Sequence, residues 1–413
     1  MGSGHVDFPP VATTPMYRKG FGLSRDIAPD LERDYHSDLV TWFREHDHEL
    51  RVADTTVLLA HEFGFCYGVD RAVEYAYETR RQFPDRRIHI TGEIIHNPHV
   101  NANLRKMDIH FLSTRTNLEI DFSAVHPGDV VILPAFGART KDLEILRARG
   151  AIIVDTTCGS VLNIWKNVLR NARDGLTSVI HGKFRHEETR ATASWARGRD
   201  GKGAYLVVRD MDETEIVCSY IVDGGNRQAF LTRFAPACST GFDPDKHLCR
   251  VGVANQTTML SSESLAIAER LGEALARRFG RPGLSQRFRS FDTICSATQE
   301  RQDAVGDLLE KDLGVLVVIG GYNSSNTSHL AEMAAETPTR AFHIEGAEAL
   351  MDDGSIKHRR LGTDVEDTTP AWLPAGPVRI GVTAGASTPN NRIGGVLARL
   401  LTLRGVASPV SIT

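Results

Sequence analysis

Three of the six cysteines stand where a strand pattern gives way to a helix pattern. These are Cys66, Cys158 and Cys295; the apolar run before the second is 152–157 and that before the third is 291–294. This weak internal repeat predicts one such cysteine in each of three α/β units. Ligands of open α/β sheets bind beyond the carboxyl ends of the strands, so three thiols that are distant in sequence would meet there. The amino end of each following helix favours the thiolate form.

Three gathered thiolates predict a metal centre. Structural zinc prefers four ligands, usually in paired cysteine knuckles, and this sequence contains no CxxC pair. A cubane iron–sulfur cluster with three cysteine ligands leaves one iron open to substrate, which suits Lewis-acid and redox chemistry. The alternative is that all three cysteines are packing residues. Cys218, Cys238 and Cys249 lack the strand-to-helix setting, and six cysteines in 413 residues are too few for a disulfide scaffold.

Polar turns after strands supply candidate ligands for an anion. The turn Gly320 to Asn326 contains Ser324 and Ser325, the turn 384–389 contains Ser387, and the turn 255–258 contains Thr257. Each turn alone is explained by helix capping, because Ser, Thr and Asn are good N-caps. The same hydroxyls, amides and backbone N–H groups also bind phosphate at a helix start. Three such turns, together with the cysteines, favour a phosphate-bearing substrate.

Two histidines and a glutamate complete the candidate chemistry. His96 follows the predicted strand 88–91, and His186 opens a helix, although a lone histidine is more often structural. The His-Glu pair at 186–187 does not complete the HExxH zinc motif. Glu188 is a candidate proton donor, because a carboxyl in a dry pocket has a raised pKa. The alternative is that Glu187 and Glu188 only complement the helix start.

Strand candidates alternate with helical patterns, which predicts α/β domains with mainly parallel sheets. The strand candidates are Val57–Ala60, Val130–Leu133, Ile152–Val154, Ser178–Ile180, Tyr205–Val208, Val251–Ala254, Val315–Ile319 and Ile380–Val382. The helical patterns are Val69 to Phe83, Val161 to Leu169, Ser264 to Phe279 and Arg301 to Leu313. The polar stretch from Asp353 to Pro377 predicts a long surface connection.

We predict four segments along the chain. Residues 1–52 are a charged N-terminal extension with one helix, roughly Asp30 to Glu45. The first α/β domain spans 53–158 and ends at the second candidate ligand, the second spans 159–294, and the third spans 295–413 with the C-terminal segment.

Composition excludes two classes of partner. The net charge of −4 and the absence of a basic reading helix argue against nucleic acid. No apolar run approaches the length that crosses a bilayer, so we expect no membrane association. We expect a cytoplasmic protein, or one in the plastid stroma if a transit segment has been removed.

Eight motifs, in order, resemble the LytB/IspH family, whose members are 4-hydroxy-3-methylbut-2-enyl diphosphate reductases. They cover the chain from about Val57 to Ser387, and the N-terminal segment resembles the longer cyanobacterial and plant-type branch. The motifs are Phe63-Gly64-Phe65-Cys66-Tyr67-Gly68-Val69, Gly92-Glu93-Ile94-Ile95-His96-Asn97, Asp155-Thr156-Thr157-Cys158, His186-Glu187-Glu188-Thr189, Asn255-Gln256-Thr257-Thr258, Asp292-Thr293-Ile294-Cys295-Ser296-Ala297-Thr298, Asn323-Ser324-Ser325-Asn326 and Thr383-Ala384-Gly385-Ala386-Ser387.

The resemblance implies a trefoil of three α/β domains around a central [4Fe–4S] cluster held by Cys66, Cys158 and Cys295. It implies reductive dehydroxylation to isopentenyl and dimethylallyl diphosphate, the last step of the methylerythritol phosphate route. Electrons would come from ferredoxin or flavodoxin, since the sequence has no nucleotide or flavin fingerprint. The implied catalytic residues are Glu188, Thr257 and His186. The implied substrate-binding residues are His96, His186, Ser324, Ser325, Asn326 and Ser387, with Thr298 near the cluster.

The chain departs from the family pattern at two places. Many bacterial members carry histidine where this chain has Phe136, which removes one expected diphosphate contact. Gly159 and Ser160 follow Cys158 where the family usually has proline and the plant-type branch tryptophan, and glycine loosens a turn. Two rival functions are an iron–sulfur sensor that binds without consuming reductant, and a zinc-dependent hydrolase that uses the same thiolates and Glu188.

Overall fold

The computed structural model describes residues 15–291 and 293–410. Residues 1–14 of the predicted extension, Asp292 in the motif before Cys295, and residues 411–413 of the predicted third domain lie outside this range. The strands are β1 Met16–Tyr17, β2 Glu49–Val52, β3 Thr55–Leu59, β4 Ile88–Ile90, β5 Ile109–Phe111, β6 Val130–Leu133, β7 Ile152–Asp155, β8 Thr177–His181, β9 Tyr205–Val208, β10 Val251–Asn255, β11 Phe288–Ser290, β12 Val315–Ile319, β13 Arg340–Ile344, β14 Ile356–Arg359, β15 Glu366–Thr369 and β16 Val378–Ala384.

The helices alternate with these strands, as the sequence pattern predicts. They are α1 Ser24–Tyr35, α2 Asp38–Glu45, α3 Tyr67–Gln82, α4 Pro98–Lys106, α5 Thr140–Ala148, α6 Gly159–Arg173, α7 Glu187–Ala196, α8 Met211–Asp223, α9 Arg227–Phe234, α10 Pro244–His247, α11 Ser261–Phe279, α12 Leu284–Arg287, α13 Ser296–Leu309, α14 Ser325–Glu332 and α15 Asn390–Leu403. Short 3₁₀ turns lie at Arg281–Gly283, Met333–Glu336 and Ala347–Ala349.

Three sheets organise the described residues into three α/β units. The first unit is the parallel sheet β1-β7-β6-β4-β5, and the second is the parallel sheet β11-β10-β8-β9. The third unit is the seven-stranded sheet β15-β14-β13-β12-β16-β3-β2, parallel at its centre and antiparallel at both edges. Its central strand Val315–Ile319 is buried along its whole length, as a parallel strand covered on both faces should be. The predicted α/β class with mainly parallel sheets is confirmed.

The polypeptide passes from one unit to the next at each candidate cysteine. Strand β3 belongs to the third sheet, but α3, which begins after Cys66, packs into the core of the first unit. Strand β7 belongs to the first sheet, whereas α6, which begins after Cys158, packs on strands β8 and β10 of the second. Helix α13, which begins after Cys295, leaves the second unit and packs on β16 of the third. The three crossings therefore tie the units together at one place.

Strand β3 differs from the predicted domain assignment. We expected it in a first domain spanning 53–158, but Val57 pairs with Ile380 in the third sheet. The run 57–60 is buried, so it needs covered neighbours on both sides, and β16 on one side and β2 on the other provide them. Strands β2 and β3, which come early in the chain, thus complete the third unit, whose other strands come from the C-terminal part of the chain.

Two local predictions are corrected. The single helix predicted over Asp30 to Glu45 is two helices, because Ser37 adopts an extended conformation and its side chain accepts a hydrogen bond from the Val40 N–H, which starts α2. The predicted surface connection from Asp353 to Pro377 contains the hairpin β14–β15, which extends the third sheet. Its polar composition suits an edge that faces solvent, which charged side chains protect from pairing with other chains.

Across residues 15–291 and 293–410, no helix has both the length and the apolar character needed to cross a bilayer.

Helix α15 offers a matched pair of glycine substitutions. A Cβ on Gly394 would overlap the Ser37 Oγ, whereas a Cβ on Gly395 would meet only the Ala347 Cβ at 3.7 Å. We expect Gly394→Ala to lower the free energy of unfolding by about 1–3 kcal/mol, because Ser37 must move and give up its cap on α2. Gly395→Ala should raise it by up to about 1 kcal/mol, since alanine favours a helix. Urea denaturation of both variants measures this, and equal effects would contradict the packing of α2 on α15.

Candidate active site and metal centre

Each of the three cysteines is the N-cap residue of a helix. Cys66, Cys158 and Cys295 all have extended backbone conformations, and none of their side chains caps the helix that follows. The Cys66 N–H donates to the Ala386 carbonyl at 3.2 Å, and the Cys158 N–H donates to the Ala135 carbonyl at 2.9 Å. The backbone is thus held by neighbouring loops while the sulfurs stay available for another partner.

The three thiols lie close together. A Cβ placed on Gly68 would be 2.5 Å from the Cys158 Sγ and 4.0 Å from the Cys66 Sγ. The charges of Cys66 and Cys158 both act on Cys295, so all three belong to one electrostatic site. The structure therefore brings together cysteines that are up to 229 positions apart, and glycine at position 68 leaves the room that two of the sulfurs occupy.

Burial raises the pKa of two of the three thiols, Cys66 and Cys295. It raises the pKa of Cys295 to about 11, with the neighbouring thiols adding to the increase. At Cys66 and Cys295 desolvation therefore outweighs the backbone N–H groups of the helix start, which act to lower the pKa and which alone would favour the thiolate. A bound cation would reverse this balance, since metal binding deprotonates a coordinating thiol.

Two threonines and an arginine surround the cysteines. The Thr298 Oγ1 lies 3.0 Å from the Cys295 Sγ, and the same sulfur lies 3.8 Å from the Thr257 carbonyl oxygen. Arg301, which is 3% exposed, donates through Nε and Nη2 to the Gly64 carbonyl at 3.2 and 2.8 Å. Its charge also acts against the raised pKa of Cys66. Arg301 therefore attaches the loop before the first cysteine to the helix that begins after the third.

Glu188 is a buried carboxyl beside the cysteine site. Its side chain accepts two hydrogen bonds from Thr257, one from the backbone N–H at 2.6 Å and one from the hydroxyl at 2.8 Å. Burial raises the pKa of Glu188 to about 7, while the bonds from Thr257 and the proximity of His96 oppose this rise. Because the Thr257 carbonyl also touches the Cys295 sulfur, one residue connects the carboxyl to the thiol site.

His96 and His186 are in direct contact beside Glu188. Their Nε2 atoms are 3.2 Å apart, while the His96 Nδ1 lies 2.9 Å from the Glu93 carboxylate. The His186 Nδ1 accepts a hydrogen bond from the Glu188 N–H, so its Nε2 carries the proton and the His96 Nε2 accepts it. Burial lowers the pKa of His186 well below its usual value, and His96 lowers it further. An anion that enters between the rings would find one N–H donor in place.

Phe136 occupies the position where many bacterial members of the resembled family have histidine. Its ring stacks on His96 with centroids 4.4 Å apart and planes inclined by 16°. It meets His186 edge-on at 6.0 Å. Phe136 offers no hydrogen-bond donor to a ligand, and its contact instead fixes the orientation of the His96 ring.

The turns of the third unit close the pocket from the other side. The Ser324 Oγ caps α14 by accepting from the Thr327 N–H, and the Ser387 Oγ donates to the His96 carbonyl at 3.2 Å. The Asn326 Oδ1 accepts from the Ala386 N–H at 2.9 Å. The buried Asn326 Nδ2 has no hydrogen-bond partner among the described residues. A buried donor without a partner is costly, so it marks a place for a ligand oxygen.

Gln256 connects the second and third units beneath the pocket. Its Oε1 accepts from the Lys183 N–H and the Thr189 hydroxyl, and its Nε2 lies 3.3 Å from the Ser325 Oγ. Ser325 is thereby positioned through this amide. The residues predicted for the site thus form one connected arrangement around the pocket, and their roles as ligands or catalysts stay predictions.

Three residues of this arrangement were missed as functional candidates in the sequence. Glu93 and Gln256 lie inside two of the eight family motifs but have no predicted role, and the sequence pattern around Arg301 predicts only a helix. An arginine on the apolar face of a helix is the one signal that could have singled out Arg301, because a buried guanidinium needs specific acceptors. Nothing in the local sequence indicates that Glu93 and Gln256 contact partners more than 60 positions away.

The raised pKa of Glu188 predicts that the stability of the folded protein depends on pH. Its pKa in the folded protein lies above its unfolded value of about 4.5, so folding takes up a proton between those values. Its contribution to the free energy of unfolding is complete below pH 4.5 and is lost as the pH rises to about 7. We expect the stability of the wild type to fall by about 2–3 kcal/mol relative to Glu188→Gln over this range.

Urea denaturation at several pH values measures this difference. Thr257→Val removes one of the hydrogen bonds that lower the pKa of Glu188. The pKa of Glu188 should therefore be higher in this variant, and the loss of its free energy of unfolding should continue to a higher pH than in the wild type. Parallel stability curves for the wild type and Glu188→Gln would show that the carboxyl is not perturbed.

The family described as LytB protein matches residues 57–401. The chain is 51% identical over 386 residues to the 4-hydroxy-3-methylbut-2-enyl diphosphate reductase of Synechococcus sp. (strain RCC307), which covers 94% of this chain and 93% of that protein. It is 50% identical over 393 residues to the protein of the same name from Gloeobacter violaceus, covering 94% and 93%.

Two solved structures are similar to this fold. One is described as (E)-4-hydroxy-3-methyl-but-2-enyl diphosphate reductase, the terminal enzyme of the non-mevalonate pathway; its TM-score is 0.51 and its identity 26%, covering 84% of this chain and 99% of that one. The other, the E-1-hydroxy-2-methyl-but-2-enyl-4-diphosphate reductase from Plasmodium falciparum, has a TM-score of 0.62 at 22% identity over 84% and 87% of the two chains, and supports the fold alone. The predicted resemblance is confirmed, and it indicates a metal cofactor in general terms. The chain belongs to the LytB protein family.

Proposed function

We propose that this chain reduces 4-hydroxy-3-methylbut-2-enyl diphosphate to isopentenyl and dimethylallyl diphosphate, the last step of the methylerythritol phosphate route to isoprenoids. The observation that carries the proposal is the chain of contacts from Glu188 through Thr257 to Cys295, which sets a buried acid beside three thiols. The printed names of the relatives supply the substrate.

We assign Cys66, Cys158 and Cys295 as the ligands of a [4Fe–4S] cluster. The donor set fits this group, because three soft thiols without a cap bond converge while Gly68 keeps the space between them open. When bound, such a cluster supplies electrons and a Lewis-acidic iron to the substrate. Cys218 lies in the core of the second unit, so it does not belong to this donor set.

The diphosphate would lie between the histidine pair and the turns of the third unit. His186 offers its Nε2–H, and Asn326 offers an Nδ2 group that has no partner among the described residues. Ser324 and Ser387 add hydroxyls at the same edge, one at a helix start, where backbone N–H groups favour an anion. Glu93 contacts the His96 Nδ1 at 2.9 Å and so fixes the orientation of this ring, whose Nε2 faces His186.

Glu188 supplies the proton. The reaction breaks a carbon–oxygen bond, takes up two electrons and two protons, and releases the hydroxyl oxygen as water. A carboxyl with a pKa of about 7 keeps a large share of its protonated form near neutral pH and is mostly neutral below it, so it can donate a proton. Thr257 holds the carboxyl through both of its oxygens, which leaves it one orientation toward the pocket.

Electrons must come from a separate carrier, and we propose ferredoxin, with flavodoxin as the alternative. The cyanobacterial origin of the relatives supports ferredoxin as the donor and the cytoplasm as the place of action.

The rival functions, an iron–sulfur sensor and a zinc-dependent hydrolase, are not favoured by the family. Zinc would have a possible site at His96, His186 and Glu187, whose ligand atoms lie within 4.8 Å of one another, and metal analysis distinguishes the two cases.

Glu188→Gln tests the proposed acid. We expect turnover of the diphosphate with a reduced dye to fall at least about 100-fold, because an amide cannot donate the proton. Iron, sulfide and substrate binding should stay at wild-type levels. Glu144→Gln, an exposed glutamate of α5, is the matched control and should retain the wild-type rate. A Glu188→Gln enzyme with near-normal turnover would remove this residue from the mechanism, and an inactive wild type with a full cluster would remove the proposed reaction.

Gly68→Ala tests the cysteine arrangement. The new Cβ would lie 2.5 Å from the Cys158 Sγ, so that thiol must move, and we expect iron and sulfide per chain after anaerobic reconstitution to fall several-fold. At Gly159, the residue after Cys158, a Cβ would meet nothing within 4 Å. Gly159→Ala should therefore retain the full cluster. Circular dichroism checks the folding of both variants, and a folded Gly68→Ala protein with undiminished iron would argue against a shared cluster.

A further inference from the structure

A large groove lies beside α7, whose Arg190, Ala193 and Ser194 line it. It has a volume of about 780 Å³ and runs between the loop 116–119 of the first unit and strand β9 of the second. Five cationic side chains line it, and the groove contains one carboxylate, that of Glu119. The lining cations are Arg139, Lys141, Arg185, Arg190 and Arg197.

The positive charge of the groove is only partly neutralised. Glu119 pairs with Arg139 at 2.8 Å and also with Lys141, and Asp142, which lies outside the groove, pairs with Arg139 at 2.7 Å. Within residues 15–291 and 293–410, Arg185, Arg190 and Arg197 have no carboxylate within 4 Å. Arg190 donates to the Leu118 carbonyl, and Arg197 donates to the Gly203 carbonyl at 2.9 Å. In a protein of net charge −4, this local excess of guanidinium groups indicates an anion site.

The inner wall of the groove is apolar. Phe184, Tyr205, Val207 and Pro236 line it, and Val207 and the neighbouring Ala237 belong to the core of the second unit. The Arg185 guanidinium lies over the Phe184 ring at 5.5 Å, so charge and apolar surface meet at the same point. A ligand that fits both features carries an anionic head and a hydrocarbon tail.

We propose that this groove binds an organic diphosphate with a prenyl tail of roughly ten or more carbons, at a site separate from the active site. Arginine forks bind phosphate oxygens in pairs, which accounts for the head. A cavity of this volume holds a ligand much larger than a five-carbon diphosphate, which accounts for the tail. The choice of a prenyl tail rests on the proposed function, because reactions that join the five-carbon products form longer allylic diphosphates.

The groove and the active site share α7 but use different side chains. The Arg190 N–H donates to the His186 carbonyl at 2.9 Å, so the cation stands one turn beyond the active-site histidine. A small cavity of about 40 Å³ is lined both by Phe136 and Glu187 and by Arg139 and Arg190, so it lies next to both sites. Because the two sites use different side chains, substrate and prenyl diphosphate can be bound at the same time.

Calorimetric binding of geranyl diphosphate to the full, cluster-loaded protein, without reductant, tests the proposal. We expect inorganic pyrophosphate and geraniol each to bind at least about tenfold more weakly than geranyl diphosphate, because each satisfies only one half of the groove. Arg185→Gln should weaken geranyl diphosphate about tenfold. Phe184→Ala should weaken geranyl diphosphate and leave pyrophosphate unchanged. Arg173→Gln, an exposed arginine of α6 paired with Asp174, is the matched control and should change nothing.

Asn326→Ala separates this groove from the active site. We expect geranyl diphosphate to bind this variant as it binds the wild type, although the variant has lost an active-site donor. If Asn326→Ala abolished binding while Arg185→Gln did not affect it, the ligand would be in the active site and the proposal would be wrong. Equal affinity for pyrophosphate and geranyl diphosphate would also overturn it. Because no turnover is measured, failure of the proposed reaction would leave these results unchanged.

Discussion

The convergence of three chain crossings is the constraint on which the rest of this structure depends. Each candidate cysteine stands where the polypeptide leaves one sheet and starts the helix of the next unit. The units therefore cannot separate without moving the thiols apart. Arg301 and Gln256 reinforce this arrangement. Arg301 donates to the Gly64 carbonyl in the loop before Cys66, and Gln256 donates to the Ser325 hydroxyl at the start of α14.

Desolvation gives the site its chemistry. The same burial that raises the pKa of Cys295 to about 11 raises that of Glu188 to about 7 and lowers that of His186. Near neutral pH, Cys295 and His186 are therefore neutral, and Glu188 is close to its pKa and can exchange its proton. A carboxyl held neutral is a proton donor, and a neutral thiol becomes a ligand only when a cation replaces its proton. The cysteine site can therefore bind a cation only with release of its protons, and the Glu188 carboxyl can give up a proton near neutral pH.

Sequence patterns predicted the alternation of strands and helices well, and they failed where an element depends on a distant partner. The apolar runs 130–133 and 315–319 are strands in the structure, because burial on both faces requires such runs. The assignment of β3 to a sheet is not encoded locally, since any parallel strand could accept it. The hairpin after Asp353 was missed for a related reason, because polar edge strands resemble loops in composition.

The residue types of the site were identifiable from the sequence, because cysteine, histidine and glutamate at the ends of predicted strands combine metal-binding and proton-transfer chemistry, although each type also has a structural explanation. Local sequence also indicated the turns, since Ser324 and His186 do cap helices. Only the tertiary structure decided which groups meet and in which protonation state. It set the thiols around Gly68, left the Asn326 amide without a partner among the described residues, and raised the pKa of Glu188. The physical reason is that proximity and desolvation arise from packing between units that are far apart in the chain, and no local pattern contains that information.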